Sequence, residues 1–79
     1  MRLDKYLKVS RIIKRRTVAN EICSQGRVQI NGRAAKPGNA VKAGDIITIQ
    51  FGDRVRQYEV LALNEHAGRS DAQEMYREI

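Results

Sequence analysis

The sequence has few of the residues from which enzyme and metal sites are built. Its 79 residues include one cysteine, Cys23, and one histidine, His66. A single cysteine cannot form an internal disulfide, which agrees with a reducing compartment. One histidine and one cysteine cannot supply the four ligands of a structural zinc site, and no catalytic triad or glycine-rich phosphate loop is evident. The composition therefore favours a binding protein that needs no cofactor and no metal.

Long apolar segments are also missing. The longest run covers residues 60–63, whereas a helix that spans a bilayer needs roughly 20 apolar residues. The sequence opens with charged residues and lacks the apolar core of a signal peptide. With 30% charged and 42% hydrophobic residues, the chain fits the class of folded soluble domains. We therefore predict a small cytoplasmic domain with a modest core and no membrane partner.

Aromatic residues are limited to Tyr6, Phe51, Tyr58 and Tyr76, and tryptophan is absent. The positions of Phe51 and Tyr58 predict packing in the core of a sheet. Tyr6 could pack in the core or stack on a base, and the first alternative is favoured. The chain therefore offers no platform of exposed rings, which argues against binding of single-stranded bases by stacking.

Positive charge is abundant and lies at one end of the chain. Residues 1–36 contain ten lysines and arginines and two acidic residues, whereas residues 37–79 contain five basic and seven acidic residues. The net charge of +6 is therefore concentrated in residues 1–36, where it creates a local positive field. Such a field attracts polyanions, which release their counterions on contact.

The basic segment has the periodicity of two helices. Leu3, Tyr6 and Leu7 recur at helical spacing and predict a short first helix. A second helix is predicted from about residue 15 to residue 24, with Gly26 after its C-terminal end. The expected core contacts of this region are Val9, Ile12, Ile13, Val18, Ala19, Ile22 and Cys23.

Beyond Gly26 the period changes to that of strands. Val28 and Ile30 alternate with a polar residue, and the Asn31-Gly32 turn that follows is typical of a hairpin. Residues 46–51 form a β-branched run, and Gly52-Asp53 can connect it to a return strand over residues 54–61. Residues 36–39 and 43–45 are predicted to be loops.

The last residues suggest one more element. Residues 70–73 resemble a capping box, and Ala72, Met75, Tyr76 and Ile79 follow at helical spacing. We therefore predict a short amphipathic C-terminal helix that docks on the domain or on a partner. The expected organisation is a domain over residues 1–63, followed over residues 64–79 by a polar linker and this helix.

The order of these elements and residues resembles the S4 RNA-binding domain. The resemblance covers residues 2 to about 50. The opening residues, together with Lys14-Arg15-Arg16-Thr17, are similar to those of the stand-alone bacterial S4 proteins of the RqcP type, which are related to the heat-shock S4 protein. The matching residues are Arg2-Leu3-Asp4-x-x-Leu7, Arg15-Arg16-Thr17-x-Ala19, Gly26-x-Val28-x-Ile30-Asn31-Gly32, Lys36 and Val41-Lys42-x-Gly44-Asp45.

The resemblance implies a fold and a function. The implied fold is α+β of the S4 type (the αL fold), with a basic two-helix hairpin on a small antiparallel or mixed β-sheet and a short C-terminal helix. The implied function is non-enzymatic binding of 23S rRNA and peptidyl-tRNA on the obstructed 50S subunit, in support of alanine tailing by an RqcH-type factor. The alternative is a heat-shock-type factor for 50S recycling or assembly. We expect a monomer when the protein is free.

The predicted RNA-binding residues lie mainly on the helical hairpin. Arg2 and Arg16 are carried over from the family motif as the first choices, and the two should share one face. Asp4 is expected to be structural, either pairing with Lys8 or orienting a nearby arginine. A solvated charge cluster is the alternative interpretation of the basic residues. The further candidates are Lys5, Lys8, Arg11, Lys14, Arg15, Thr17, Arg33 and Lys36.

Overall fold

The computed structural model describes the backbone of residues 1–79 and every side chain except that of Arg69. Two helices come first, and the strands follow in a five-stranded antiparallel sheet of order β2-β1-β3-β4-β5. The predicted α+β fold class is confirmed, and all strand pairs are antiparallel. The elements are α1 (Leu3–Val9), α2 (Arg16–Ser24), β1 (Val28–Ile30), β2 (Arg33–Ala34), β3 (Ile46–Phe51), β4 (Arg54–Val60), α3 (Arg69–Ala72) and β5 (Tyr76–Glu78).

The two helices form the predicted hairpin, with a tight connection between them. Arg11 adopts a positive φ of 63°, which turns the chain out of α1, and the N–H of Ile13 returns to the carbonyl of Leu7 at 3.0 Å. Ile13 is thereby buried between the helices and the sheet. The connection holds α2 against α1, so the basic residues of both helices belong to one scaffold.

The Asn31-Gly32 turn joins β1 and β2 as predicted. Both residues have positive φ, 53° and 82°, which is the backbone geometry of a tight hairpin turn. The Asn31 side chain also accepts a hydrogen bond from the N–H of Ile46 at 2.9 Å and donates one to Asp45 at 3.0 Å. The turn residue therefore fixes the start of β3 as well as its own hairpin.

The core lies between the helical hairpin and one face of the sheet. The helices contribute residues such as Leu3, Tyr6 and Leu7, all fully buried, and the sheet contributes alternate residues such as Ile47 and Ile49. The opposite sheet face is mainly polar, with residues such as Thr48, Gln50 and Gln57, although it also carries the exposed Val55. The helices therefore cover one face of the sheet only. The other buried apolar residues are Ile13, Ala19, Cys23, Val28, Ala35, Val41, Tyr58, Val60, Ala72 and Met75.

One residue predicted to contact the core is exposed. Val18 was expected beside Ala19 in the apolar rows of α2, but 40% of it is accessible. Ala19 and Cys23 point directly at the core, and Val18 is rotated by about 100° from Ala19 around the helix. A helix packed on one side buries only the centre of its apolar stripe, so the prediction for Val18 is wrong.

The C-terminal helix is shorter than the sequence pattern predicts. A helix that includes Tyr76 and Ile79 is wrong, because α3 ends at Ala72 and residues 76–78 form β5. Ser70 is not the residue before the helix either. That position belongs to Gly68, whose N–H donates to the Asp71 carboxylate at 3.4 Å.

Pairing with β4 explains why this segment is a strand. Arg56 makes two hydrogen bonds to Glu78, at 2.6 and 2.8 Å, and Arg77 pairs with Glu59. The ring of Tyr76 meets that of Tyr58 edge-on at 5.4 Å. These cross-strand contacts have no counterpart in a helix, so tertiary pairing overrides the local helical spacing.

The C-terminal segment after β4, which we call the tail, is attached to the helical hairpin by a buried hydrogen bond. The hydroxyl of Tyr6 donates to the carbonyl of Met75 at 2.7 Å. Burial, with a smaller contribution from nearby Tyr76, raises the pKa of Tyr6 well above its usual value. The hydroxyl therefore remains a donor over the working pH range. Tyr6 is a core residue, as favoured by the sequence.

We predict that Tyr6→Phe destabilises the protein by about 1–2 kcal/mol, because it leaves the Met75 carbonyl without its buried donor. Urea unfolding followed by circular dichroism measures the loss. Tyr76→Phe is the matched control, since this ring is only half-buried. Equal stability of wild type and Tyr6→Phe would show that the bond does not hold the tail.

Candidate nucleic-acid interface

Asp4 is a buried carboxylate that gathers side chains from both helices. Its side chain is 3% exposed. Arg2 donates to it through Nε at 3.2 Å and Nη2 at 3.3 Å, and Arg16 donates through Nη2 at 3.5 Å. Asn20 donates through Nδ2 at 3.4 Å, and the N–H of Lys5 donates at 2.8 Å. We call Arg2, Asp4 and Arg16 the arginine clamp.

The environment of Asp4 keeps its carboxyl ionised. Burial alone would favour the neutral acid. The hydrogen bonds from Asn20 and from the N–H of Lys5, and then the charges of Arg16 and Arg2, outweigh that effect and lower the pKa of Asp4. The expectation that Asp4 orients a nearby arginine is confirmed, and its partners are Arg2 and Arg16 instead of Lys8.

The arginines remain available although both contact Asp4. The side chain of Arg2 is 56% exposed and that of Arg16 is 48% exposed. A guanidinium has five N–H donors, and Asp4 uses two from Arg2 and one from Arg16. The donors that remain can bind an anion in front of the carboxylate. The clamp therefore places two planar guanidinium groups on one face, as the sequence predicts for this pair.

A loop from the sheet region fixes the start of α1. The carbonyl of Asn39 accepts from the N–H of Leu3 at 2.8 Å, and the carbonyl of Pro37 accepts from the N–H of Asp4 at 3.1 Å. Arg2 also forms an isolated antiparallel bridge with Ala40. These bonds use N–H groups at the helix start, so they position Arg2 and Asp4 and do not leave those groups for a phosphate.

The clamp opens into a surface groove of about 480 Å³. The groove has a strongly basic lining with one acidic residue, Glu65, among the described side chains. Its lining brings together α1, α2, the loop of residues 36–40 and the segment that follows β4. The lining residues are Met1, Arg2, Lys5, Arg16, Gly38, Ala40 and Glu65.

The other predicted binding residues lie outside this groove. Thr17 lines a neighbouring groove that also contains Asp4 and Arg16, so Arg16 stands between the two. Arg33 lines a third groove, which shares Ala40 with the first. The structure therefore brings Arg2, Lys5 and Arg16 together in one groove and places Thr17 and Arg33 in the two adjoining grooves. The remaining predicted residues are exposed but line none of these three grooves: Lys8, Arg11, Lys14, Arg15 and Lys36.

The start of α2 is open in the part of the chain that the structure describes. Arg15 precedes the helix in extended geometry, and no side chain caps the first turn. Free N–H groups and the helix dipole favour an anion at such a position. They add to the positive potential beside Arg16.

Two residues of the site were not among the predicted ones. Asn20 of α2 donates a hydrogen bond to Asp4. It lies four residues after Arg16, and this spacing in the sequence indicates that the two side chains share one face of the helix. Glu65 reaches Lys5 across 60 residues of sequence. Such a long-range contact has no local signature, so only the fold reveals it.

Cys23 is a core residue and takes no part in the site. It lies on the buried face of α2, and burial, with a smaller contribution from the charge of Asp4, raises the pKa of its thiol to about 11. The described residues contain no group of three or more potential metal ligands. Among the same residues, no helix has the length and apolar character needed to cross a membrane.

The first 47 residues, which contain the clamp, match the family model of the S4 domain. The chain belongs to the S4 domain family. This S4 protein is also 54% identical over 76 residues to the RQC P-site tRNA stabilizing factor of Listeria innocua, a match that covers 96% of this chain and 83% of that protein. The factor of the same name from Bacillus subtilis is 49% identical, with 96% and 88% covered.

A solved structure supports the same family at the level of the fold. The trimeric Heat Shock Protein 15 of Vibrio cholerae superposes with a TM-score of 0.89 and 34% identity, covering all of this chain and 81% of that one. The predicted resemblance to stand-alone S4 proteins of ribosome-associated quality control, related to the heat-shock S4 protein, is confirmed. The family supports a ribosome-associated RNA-binding role for this S4 protein.

We predict that Asp4→Asn lowers stability at pH 7 by about 1–3 kcal/mol, because two arginines and Asn20 lose their buried anion. The folded pKa of Asp4 lies below the usual value of 3.8. The carboxylate therefore contributes stability above about pH 4, and this contribution is lost as the pH falls through the folded pKa. Urea unfolding of both proteins between pH 7 and pH 2.5 measures the difference.

The stability difference between wild type and Asp4→Asn should shrink below pH 4. The pKa of Glu78 is also lowered, by its hydrogen bonds with Arg56, but this contribution is common to both proteins and cancels in the difference. A difference that is constant across the pH range would mean that the ionised form of Asp4 does not support the fold.

Proposed function

We propose that this S4 protein is a non-enzymatic cytoplasmic factor of bacterial ribosome-associated quality control. In this proposal it binds 23S rRNA and the P-site peptidyl-tRNA on an obstructed 50S subunit. There it supports an RqcH-type factor that adds C-terminal alanine tails to the stalled chain. The names of its relatives from Listeria innocua and Bacillus subtilis support the tRNA part of the proposal.

The arginine clamp is the observation that carries the proposal. Arg2 and Arg16 present planar forks that match the oxygens of a phosphate. Asp4 orders both side chains before RNA arrives, which reduces the entropy lost on binding. A solvated charge cluster would have no need of a buried carboxylate that accepts hydrogen bonds from four residues.

The surrounding charges fit a folded RNA with phosphates on more than one strand. In this proposal Lys8, Lys14 and Arg15 extend the positive surface along the helical hairpin, and Arg33 of β2 and Lys36 of the loop extend it on the sheet side. RNA helices expose phosphates and 2′-hydroxyls across a wide minor groove. A rigid surface with separated cations can recognise that shape without reading bases.

The aromatic residues support recognition of shape over stacking. Tyr6 and Tyr58 are buried, and Phe51 and Tyr76 are half-buried against the core. The rings are therefore committed to packing in the domain. Single-strand binding by base stacking needs exposed rings, so structured RNA is the better ligand class.

A heat-shock-type role in 50S recycling or assembly is the second candidate. The fold similarity to the Vibrio cholerae protein favours it, and the same clamp would serve either role. A cryo-EM map of 50S particles that co-purify with the tagged protein separates the two. Peptidyl-tRNA with a tailing factor beside this protein supports quality control, whereas immature 50S particles without tRNA support assembly.

We predict that Arg2→Ala or Arg16→Ala weakens association with 50S particles about 10-fold or more, since charge-assisted hydrogen bonds to phosphate are among the stronger polar contacts. Neither residue belongs to the apolar core, so the fold should persist. Co-sedimentation with purified 50S particles measures the loss.

Arg54→Ala is the matched control, because Arg54 is exposed at the start of β4 and does not line the clamp groove. It removes the same charge and should change association by less than about 3-fold. Equal co-sedimentation of Arg2→Ala, Arg16→Ala and wild type would overturn the assignment of the clamp.

We also predict a steep loss of RNA affinity with salt. Each phosphate contact adds roughly 0.7–0.9 to the slope of log K against log salt concentration. Contacts from several of the basic residues should therefore give a slope magnitude of about 3 or more. Fluorescence anisotropy with labelled tRNA between 50 and 300 mM KCl measures it. A flat response would indicate a contact made mainly with protein.

A further inference from the structure

Glu65 places a carboxylate inside the basic groove of the clamp. It belongs to the segment between β4 and α3, and its Oε1 lies 3.4 Å from the Nζ of Lys5. Lys5 lies one residue after Asp4, and both Lys5 and Glu65 line the groove with Arg2 and Arg16. Glu65 thus occupies space beside Lys5 in the groove.

Asp4 and Glu65 differ in how firmly they are held. Asp4 is buried and accepts hydrogen bonds from four residues. Glu65 has 58% of its side chain exposed, and that of Lys5 is 32% exposed. Exposed ion pairs contribute little to stability because water and salt compete with them. The Lys5–Glu65 pair can therefore be broken by an incoming anion, whereas the Asp4 contacts remain.

The residues next to Glu65, in the segment between β4 and α3, make their own contacts away from Lys5. Asn64 and His66 interact with each other, through a hydrogen bond from the His66 N–H to the Asn64 side chain at 3.0 Å. Ala67 then packs against the core. Glu65 nevertheless lines the groove, so the fold brings it to Lys5 across 60 residues of sequence.

We propose that Glu65 is a built-in competitor of RNA, which neutralises Lys5 in the free protein and is displaced by a phosphate when RNA binds. The proposal rests on the proposed RNA-binding function. Any polyanion must exchange with this carboxylate or avoid Lys5. Glu65 therefore weakens RNA binding, in contrast to Asp4, which is an acidic residue that strengthens it.

The test compares Glu65→Gln with Glu74→Gln in the full chain, using labelled tRNA and fluorescence anisotropy. Both substitutions remove one negative charge, but Glu74 does not line the groove. Glu65→Gln should bind tRNA about 2- to 5-fold more tightly than Glu74→Gln, the range expected for release of an exposed ion pair. Its salt slope should be steeper by up to about 0.9, the increment for one more phosphate contact.

Lys5→Gln supplies the second arm of the test. If Glu65 restrains Lys5, Lys5→Gln should cost more affinity in the Glu65→Gln background than in wild type. Neither Lys5 nor Glu65 is buried, so circular dichroism should show folded variants. Equal effects of Lys5→Gln in the two backgrounds would overturn the competition.

The outcomes separate this inference from the proposed function. If wild type binds tRNA and Glu65→Gln matches Glu74→Gln in affinity and salt slope, the inference alone fails. If wild type does not bind tRNA at all, both the inference and the proposed function fail. Tighter binding by Glu65→Gln that disappears with Lys5→Gln supports both.

Discussion

The buried ion pair network at Asp4 is the contact on which the basic surface depends. Arg2 and Arg16 belong to different helices, and like charges at close range repel each other. The Asp4 carboxylate offsets this repulsion and gives both guanidinium groups a common acceptor. Asn20 and the N–H of Lys5 donate to the same carboxylate. The clamp is therefore a fixed arrangement of charge on a domain whose core is small.

The rest of the fold can be understood as support for that arrangement. The loop of residues 36–40 binds the start of α1 through its carbonyls. The loop follows β2 of the sheet, and the sheet is extended by β5. The Tyr6 hydroxyl of α1 donates to the carbonyl of Met75, the residue before β5. Each end of the chain thus stabilises the other. The tail that makes this link also delivers Glu65 to the groove, so the same segment provides stability and lowers the free positive charge.

Local patterns predicted the parts of the molecule that depend on neighbouring residues. The helical spacing of Leu3, Tyr6 and Leu7 and the Asn31-Gly32 turn are of this kind, and the structure confirms both. The C-terminal strand escaped prediction because its register depends on Arg56 and Tyr58, which lie about 20 residues earlier. The partners of Asp4 and the contact of Glu65 with Lys5 are likewise set by tertiary packing. Charge and family resemblance predicted the arginines of the clamp, but the buried anion that orders them required the fold.

The most direct test of the account is the affinity of Asp4→Asn for tRNA, measured at pH 7 under conditions in which the variant is folded. The substitution raises the net charge of the chain by one, so simple attraction between a basic surface and RNA predicts tighter binding. If Asp4 orders the arginine clamp, binding should instead weaken by about 5-fold or more, since charge-assisted contacts lose their preorganised geometry. Asp53→Asn, in the exposed turn between β3 and β4, makes the same charge change away from the clamp and should bind at least as tightly as wild type. Equal or tighter binding of tRNA by Asp4→Asn would contradict the central role of the buried carboxylate.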